Sequence, residues 1–484
     1  TGGQPVLGVK SYSDVWIKNI YPNIDLHYFI NDNQLEYDFI TQPNADYTKI
    51  NWDIQGAEIS LNKKGELLME TPIGSIIEGT PKVYQENKLI QSNWVLNGNQ
   101  INFNLGKYDK SKSLQIDPLV MSYGTYYGAN STVGKSCKVD DAGNIILAGN
   151  TSTGTEIATT GSFQTTITGS PSSFIAKFNS NGVRQGATYF GGDVYDNLLD
   201  MNIDLSGNIL IVGYSGSNTG MATAGAHQTV KDGSEDGFIA KFNSAGALSW
   251  ATYFGGEDLD LVSSCSFDGS GNIYIGGRSQ STTKIASAGA LKTTNGVGQQ
   301  AGFVAKLNSS GVKQWATYIG GVPTTSSQDI VALTTNTAGD IFVTGFGGAN
   351  ISAFITPGVH QTTGKGSTEA FLLKLSSSGT LAWGTYFGGN YIDYPSGIAL
   401  DKNGNIYLSG TTKSDSLVGS AGAFQTKLNG SEYDAFLAKF TGTGTRLWST
   451  YFGGTGRETS AKVVLDSNND PIITGGTYSS NLVS

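Results

Sequence analysis

A five-residue phrase, Thr-Tyr-Phe-Gly-Gly, returns along this chain at a nearly constant interval. It stands at Thr188–Gly192, Thr252–Gly256, Thr385–Gly389 and Thr450–Gly454. Thr317–Gly321 is a near copy, and Thr125–Gly128 is a weaker sixth. The six threonines, at 125, 188, 252, 317, 385 and 450, lie 63, 64, 65, 68 and 65 residues apart. A long fixed period means one supersecondary unit used repeatedly, each copy burying its apolar face against its neighbours.

The unit reads as four strands. In the fifth interval they are Gly397–Leu400, Asn405–Gly410, Ala435–Phe440 and Arg446–Phe452. The first two are joined by the turn Asp401–Gly404 and the last two by Thr441–Gly444. With 66 glycines in 484 residues, 14% charged residues and 11% aromatics, the composition is that of a turn-rich β protein. Four antiparallel strands repeated around an axis make a β-propeller blade. Five units are complete. The pairs at 112–128 and 458–478 are expected to combine into a sixth blade, because an open sheet edge is a liability.

Residues 1–110 lack the repeat and read as a separate antiparallel, sandwich-like β-domain, leaving 111–484 to the propeller. Its strand candidates are Asp14–Tyr21, Asp25–Ile30, Leu35–Thr41, Ile50–Ile54, Glu58–Leu61, Glu66–Glu70, Lys82–Gln85, Leu89–Leu96 and Ile101–Leu105.

The repeated segments Asp401–Gly410, Asp434–Phe440 and Leu447–Gly454 resemble the SBBP family of β-propeller repeats. Tyr21–Leu26, Leu35–Phe39 and Ile116–Pro118 resemble the conserved β-domain that commonly precedes such repeats. The resemblance implies a secreted or surface-displayed bacterial protein of the Bacteroidota type, exported by type IX secretion. It brings no established catalytic residues.

The net charge of −9 is spread along the chain without a basic run, which argues against nucleic acid as a partner. No apolar run reaches the ~18–20 residues of a membrane span. The chain starts at Thr1 without a Met or signal-like segment and reads as processed or truncated. With two cysteines there is no disulfide framework. Cys137 and Cys265 share a register with Met201, Leu333, Ile398 and Val463, so that site reads as buried and apolar. His227 and His360 alternate with Phe163, Leu291 and Phe424, a packing register rather than a catalytic one. The four arginines Arg184, Arg278, Arg446 and Arg457 are too scattered for a sialidase-type carboxylate clamp. Trp250, Trp315, Trp383 and Trp448, with Tyr123 and Gly186 in register, read as packing between blades.

Asp140, Asp204, Asp268, Asp401 and Asp466 are each expected to cap a tight turn before a glycine at positive φ. The candidate binding residues are acids following the Gly-Gly phrase: Asp193, Asp196, Glu257, Asp258, Asp260 and Asp393. Calcium is the one cation such loops would suit, and no other cofactor is indicated. The long loops 151–173, 215–236, 279–300, 347–369 and 411–433 are expected on one face, where length variation marks a contact surface. The expected function is a non-catalytic, secreted or outer-surface binding scaffold that contacts a protein or a glycan through that face. The alternative is an extracellular polysaccharide-active enzyme using paired loop carboxylates.

Overall fold

The computed structural model describes residues 14–479 apart from 32–33, 54–57, 63–64, 72–73, 87, 99, 121–126, 129–130, 181, 321–327, 431 and 467–468. The chain divides into two compact units: Thr1–Tyr127 with Phe178–Val183, and Gly128–Lys177 with Arg184–Ser484.

The first unit is all β. The strands Asp14–Tyr21, Ile24–Asn31, Gln34–Thr41, Leu114–Val120, Lys82–Gln85 and Lys88–Ile90 lie in that order in one sheet. Two three-stranded sheets accompany it. One joins Ser92–Asn97, Gln100–Leu105 and Trp52–Asp53; the other joins Glu58–Leu61, Leu67–Thr71 and Gly74–Glu78. Alternate residues point inward, and Ile24, Phe39, Val83, Trp94, Phe103 and Ile116 form the core.

One expectation is corrected here. Residues 112–120 do not supply a strand to the propeller. Leu114–Val120 pairs on one side with Gln34–Thr41, Ile116 opposite Phe39, and on the other with Lys82–Gln85, Gln115 opposite Tyr84. Leu114 and Ile116 are buried in the first unit's core, so the boundary lies beyond 110. A strand's length and alternation say that it will pair, not with which partner. The rest of the expected shared blade, 121–126, lies outside the described residues.

Among the described residues the second unit holds five four-stranded antiparallel sheets in simple up-and-down order. The first is Thr132–Val139, Ile145–Thr151, Ser172–Phe178, Arg184–Phe190, and the second is Asp196–Ile203, Ile209–Ser215, Asp236–Phe242, Leu248–Phe254. The third is Asp260–Phe267, Ile273–Ser279, Ala301–Leu307, Lys313–Ile319, and the fourth is Asp329–Thr335, Ile341–Gly347, Glu369–Leu375, Leu381–Phe387. The fifth is Asp393–Leu400, Ile406–Thr412, Asp434–Phe440, Arg446–Phe452, followed by the pair Glu458–Leu465 and Pro471–Thr477. These are β-propeller blades.

Every first strand carries a bulge at the same place, as between Leu198 and Asp200 or Val262 and Ser264. The extra residue re-aims the strand. Asp200 then meets Ser136 of the first sheet (3.4 Å), Ser264 of the third (3.3 Å) and Lys462 of the last pair (2.6 Å). First strands from four sheets thus reach one carboxylate, so they surround a common axis.

Candidate functional site

The Gly-Gly phrase is a steric requirement. At Gly388 a Cβ would lie 2.3 Å from Asp393 Oδ2 and 2.6 Å from Glu369 Oε2. At Gly389 it would lie 2.1 Å from the Ser416 carbonyl oxygen. The first glycine makes room for carboxylates, and the second lets the next sheet's loop approach.

The six candidate acids fall into two sets. Asp196, Asp260 and Asp393 are fully buried at the heads of first strands. Asp196 accepts from the Gly192 amide (2.7 Å), Ser215 Oγ (2.5 Å) and Ser217 Oγ (3.1 Å). Asp260 accepts from the Gly256 amide and Ser281 Oγ, both at 2.7 Å. Asp393 accepts from the Gly389 amide (2.9 Å), Thr412 Oγ1 (2.5 Å) and Ser414 Oγ (2.9 Å). Burial pushes the carboxyls of Asp196 and Asp393 up and that of Asp260 up to about 7.

Asp193 and Glu257 are instead exposed and cap the start of the next long loop. Asp193 accepts from the amides of Asn218 (2.8 Å) and Thr219 (3.1 Å); the amide bonds from Thr219 and Asn218 hold its carboxyl below the usual range. Glu257 accepts from the amides of Thr282 (2.7 Å) and Thr283 (3.2 Å). Slight burial opposes its ionisation, but the hydrogen bonds from Thr282 and Thr283 outweigh that and hold it at about 2. Asp258 is exposed, and its carboxylate accepts from the Leu259 amide (2.8 Å). The six belong to three sheets and each serves its own junction. They do not converge on one cleft. Among the described residues no group of three or more His, Cys, Asp or Glu could hold a metal ion.

The sequence reading missed the partners of these acids. Asp236, Glu369 and Asp434 open third strands and face the same glycines. Gly453 has Asp434 Oδ1 and Glu458 Oε2 at 2.4 and 2.6 Å from its Cβ position. Burial, and secondarily the Glu458 charge, pushes Asp434 up to about 6. The repeat register carried the signal: residue 434 aligns with 236 and 369.

The aspartate turns behave as expected. Asp401 Oδ1 accepts from the amides of Asn403 (2.9 Å) and Asn405 (2.8 Å), and Asp140, Asp204 and Asp268 repeat the pattern. A third-strand lysine completes the turn: Lys177 with Asp140 and Lys241 with Asp204 at 3.1 Å, Lys439 with Asp401 at 3.3 Å. In the fourth sheet the roles are exchanged. Asn336 opens the turn, Asp340 closes it and Lys374 pairs with Asp340 (2.9 Å).

The long loops are anchored, not free, segments. Each returns along the outer edge of its own fourth strand. The Thr159 amide bonds the Ala187 carbonyl (2.9 Å) and the Tyr189 amide the Gln164 carbonyl (3.0 Å). The same two bonds join Thr223 to Ala251 and Tyr253 to Gln228, and likewise Ser420 to Ser449 and Tyr451 to Gln425. The loops thereby cover edges that would otherwise invite pairing. Outside these anchors the loops expose Val230, Val297 and Leu417, at 67%, 90% and 56%, and between the last pair Phe424 is 67% exposed.

The tryptophans pack between sheets as expected. Trp250, Trp315 and Trp383 each lie against the turn glycine of the following sheet and donate Nε1–H to Ser309 O (3.2 Å), Ser377 O (3.1 Å) and Gly442 O (3.0 Å). His360 sits between Phe387 and Phe440 (6.2 and 5.9 Å). Burial, helped by the Arg446 charge, pulls it down to about 4. His227 lies beside Phe254 (6.4 Å) but is exposed, so the register is an aromatic rim, not a core. The cysteine register needs a similar correction. Cys265 is buried against Leu210 and Val212 of the preceding sheet, whereas Cys137 is exposed. Its sheet is the first of the series, with no four-stranded sheet before it in the chain among the described residues.

Comparisons with known proteins agree with this division. Residues 382–417 match the family model of a beta-propeller repeat, SBBP, and residues 3–119 match a domain of unknown function, DUF7948. An uncharacterized WD repeat-containing protein of Acanthamoeba polyphaga mimivirus is 24% identical over 300 residues, 49% of this chain and 21% of that protein. The chain thus spans about a fifth of that relative's length. Among solved structures, the Pan2 WD40 domain of Neurospora crassa aligns at a TM-score of 0.31 and 8% identity, over 71% of this chain and 89% of that one. An apocarotenoid oxygenase of Synechocystis aligns at 0.36 and 10%, over 94% and 87%. A quinonprotein alcohol dehydrogenase-like protein of Bacteroides thetaiotaomicron aligns at 0.30 and 8%, over 88% and 82%.

Proposed function

We propose that this chain is a non-catalytic binding scaffold, secreted or displayed on the outer cell surface, whose propeller presents the exposed stretches of its long loops to a protein partner. The observation that carries the reading is the design of the loops. A short segment near the middle of each loop is fixed to the fourth strand by the same pair of backbone bonds, while the stretches flanking it differ and expose apolar side chains such as Val230, Val297 and Leu417. A rigid frame with variable apolar tips suits recognition. A polysaccharide-active enzyme would need two carboxyl groups ~5–10 Å apart facing a cleft. Asp196 and Asp393 count against that, because both oxygens of each are engaged by amides and hydroxyls at sheet junctions. A glycan partner remains the other outcome of the test.

The test replaces Val230, Val297, Leu417 and Phe424 together by serine. Capture of a protein partner from the secreted and surface fractions of the source cells should be lost, with the melting transition unchanged. Undiminished capture would overturn the assignment of the loops, and binding confined to a glycan array would replace the protein partner by a sugar. Recovery of the protein only from the cytoplasm would remove the proposed location.

A further inference from the structure

One inter-sheet contact lacks its tryptophan. At the second, third and fourth junctions an indole lies against a turn glycine: a Cβ on Gly311, Gly379 or Gly444 would be 2.9, 3.1 or 2.9 Å from the ring of Trp250, Trp315 or Trp383. In the first sheet the same register holds Gly186, opposite the turn Ser244–Gly246 of the second sheet. A Cβ on Gly246 would meet nothing within 4 Å. The space left is a cavity of about 700 Å³, bordered by Gly186, Phe163, Lys177, Ser244, Gly246 and Leu248. That volume lies within the usual range of ligand pockets, ~300–1,000 Å³.

The cavity keeps the chemistry that receives an indole elsewhere. Ser244 O corresponds to Ser309 O, Ser377 O and Gly442 O, the acceptors of the three Nε1–H bonds. Lys177 Nζ reaches Ser244 O at 3.4 Å, as Lys306 Nζ reaches Ser377 O at 3.4 Å. Since Ser377 O also accepts from Trp315, a carbonyl already contacted by this lysine still takes an indole N–H. Phe163 lines one wall, edge-on to Phe242 with ring centroids 6.0 Å apart. Such a wall suits a further aromatic ring.

We propose that this vacancy is a binding site for a tryptophan side chain presented by a partner polypeptide, its ring against Gly246 and its indole N–H donated to Ser244 O. This rests on the reading of the chain as a protein-binding scaffold. It also gives that scaffold an anchor of the kind that dominates protein interfaces, a buried aromatic in a preformed pocket.

The cavity can be tested without the partner by calorimetric titration with N-acetyl-tryptophanamide and its N1-methyl analogue. The first should bind to the full chain, and the methylated probe should bind at least ~10-fold more weakly, a difference worth about 1.4 kcal/mol. Gly186→Trp restores the residue of the other sheets. The nearest atom to its new Cβ is Thr159 Oγ1 at 3.9 Å, so the chain should fold and the probe should no longer bind. Phe163→Ala, at a half-exposed position, should weaken the probe several-fold and provides a second variant if the first misfolds. Absence of probe binding to the native chain, or equal binding to native and Gly186→Trp proteins, would overturn the site. Partner capture that survives Gly186→Trp would overturn the polypeptide source.

Discussion

The fifth sheet and the terminal pair begin alike and end differently. Asp393 and Glu458 each accept the amide of the second glycine before their strand, at 2.9 and 3.1 Å. Each also takes two hydroxyls from the end of the adjacent strand, Thr412 and Ser414 in one, Thr477 and Ser479 in the other. Past that hub they diverge. Tyr407 is 3% exposed and Leu408 fully buried, whereas Ile472, in the register of Tyr407, is 50% exposed. The hub needs only two strands and a turn. Burial needs a third and fourth strand, and among the described residues the terminal pair has neither.

The largest expected effect tests this directly. Trp383 is 8% exposed and hydrogen-bonded to the fifth sheet, so Trp383→Ala should cost about 3–5 kcal/mol in urea unfolding. Trp448 is half-buried against Tyr407 and faces no complete sheet. Trp448→Ala should cost less than about 2 kcal/mol. Equal losses would erase the contrast between the two regions.

A smaller effect concerns pH. Burial holds the Asp434 carboxyl at about 6, above its ordinary value of 3.8, so the folded chain binds that proton more tightly than the unfolded one. Stability from this group is complete below about pH 4, falls as pH rises through about 6 and is flat above that. The change should be on the order of 1–2 kcal/mol. Asp434→Asn should flatten that part of the profile and leave the fall that Asp260, at about 7, extends to higher pH. A rise in stability over the same window would contradict the burial argument.

The smallest effect is at the exposed strand. Ile472→Thr should change stability by no more than about 0.5 kcal/mol. It should lower self-association in sedimentation experiments, because it removes an apolar side chain beside an edge that no strand covers among the described residues. A large loss of stability would show that Ile472 is covered.

Much of the propeller was legible because its signals are local. Third and fourth strands at Asp434–Phe440 and Arg446–Phe452 follow from alternation and from turns whose residues suit them. The Asp401 cap follows from an aspartate followed by Asn403 and Gly404. The acids after the Gly-Gly phrase were also visible. Their roles were not, because Asp260 and Glu257 stand three residues apart yet meet opposite surroundings, one sealed in a junction and one at a loop.

By itself the sequence determined the period, the four-stranded unit, the tight turns and the places where only glycine or an aromatic would serve. Those depend on backbone geometry and on hydrogen bonds within a few residues. Tertiary structure alone decided that Leu114–Val120 belongs to the first unit, that the long loops seal strand edges, that Cys137 is exposed while Cys265 is not, and that Gly186 faces a vacancy. Each depends on which strands lie beside one another, and pairing and burial are set by residues distant in the chain.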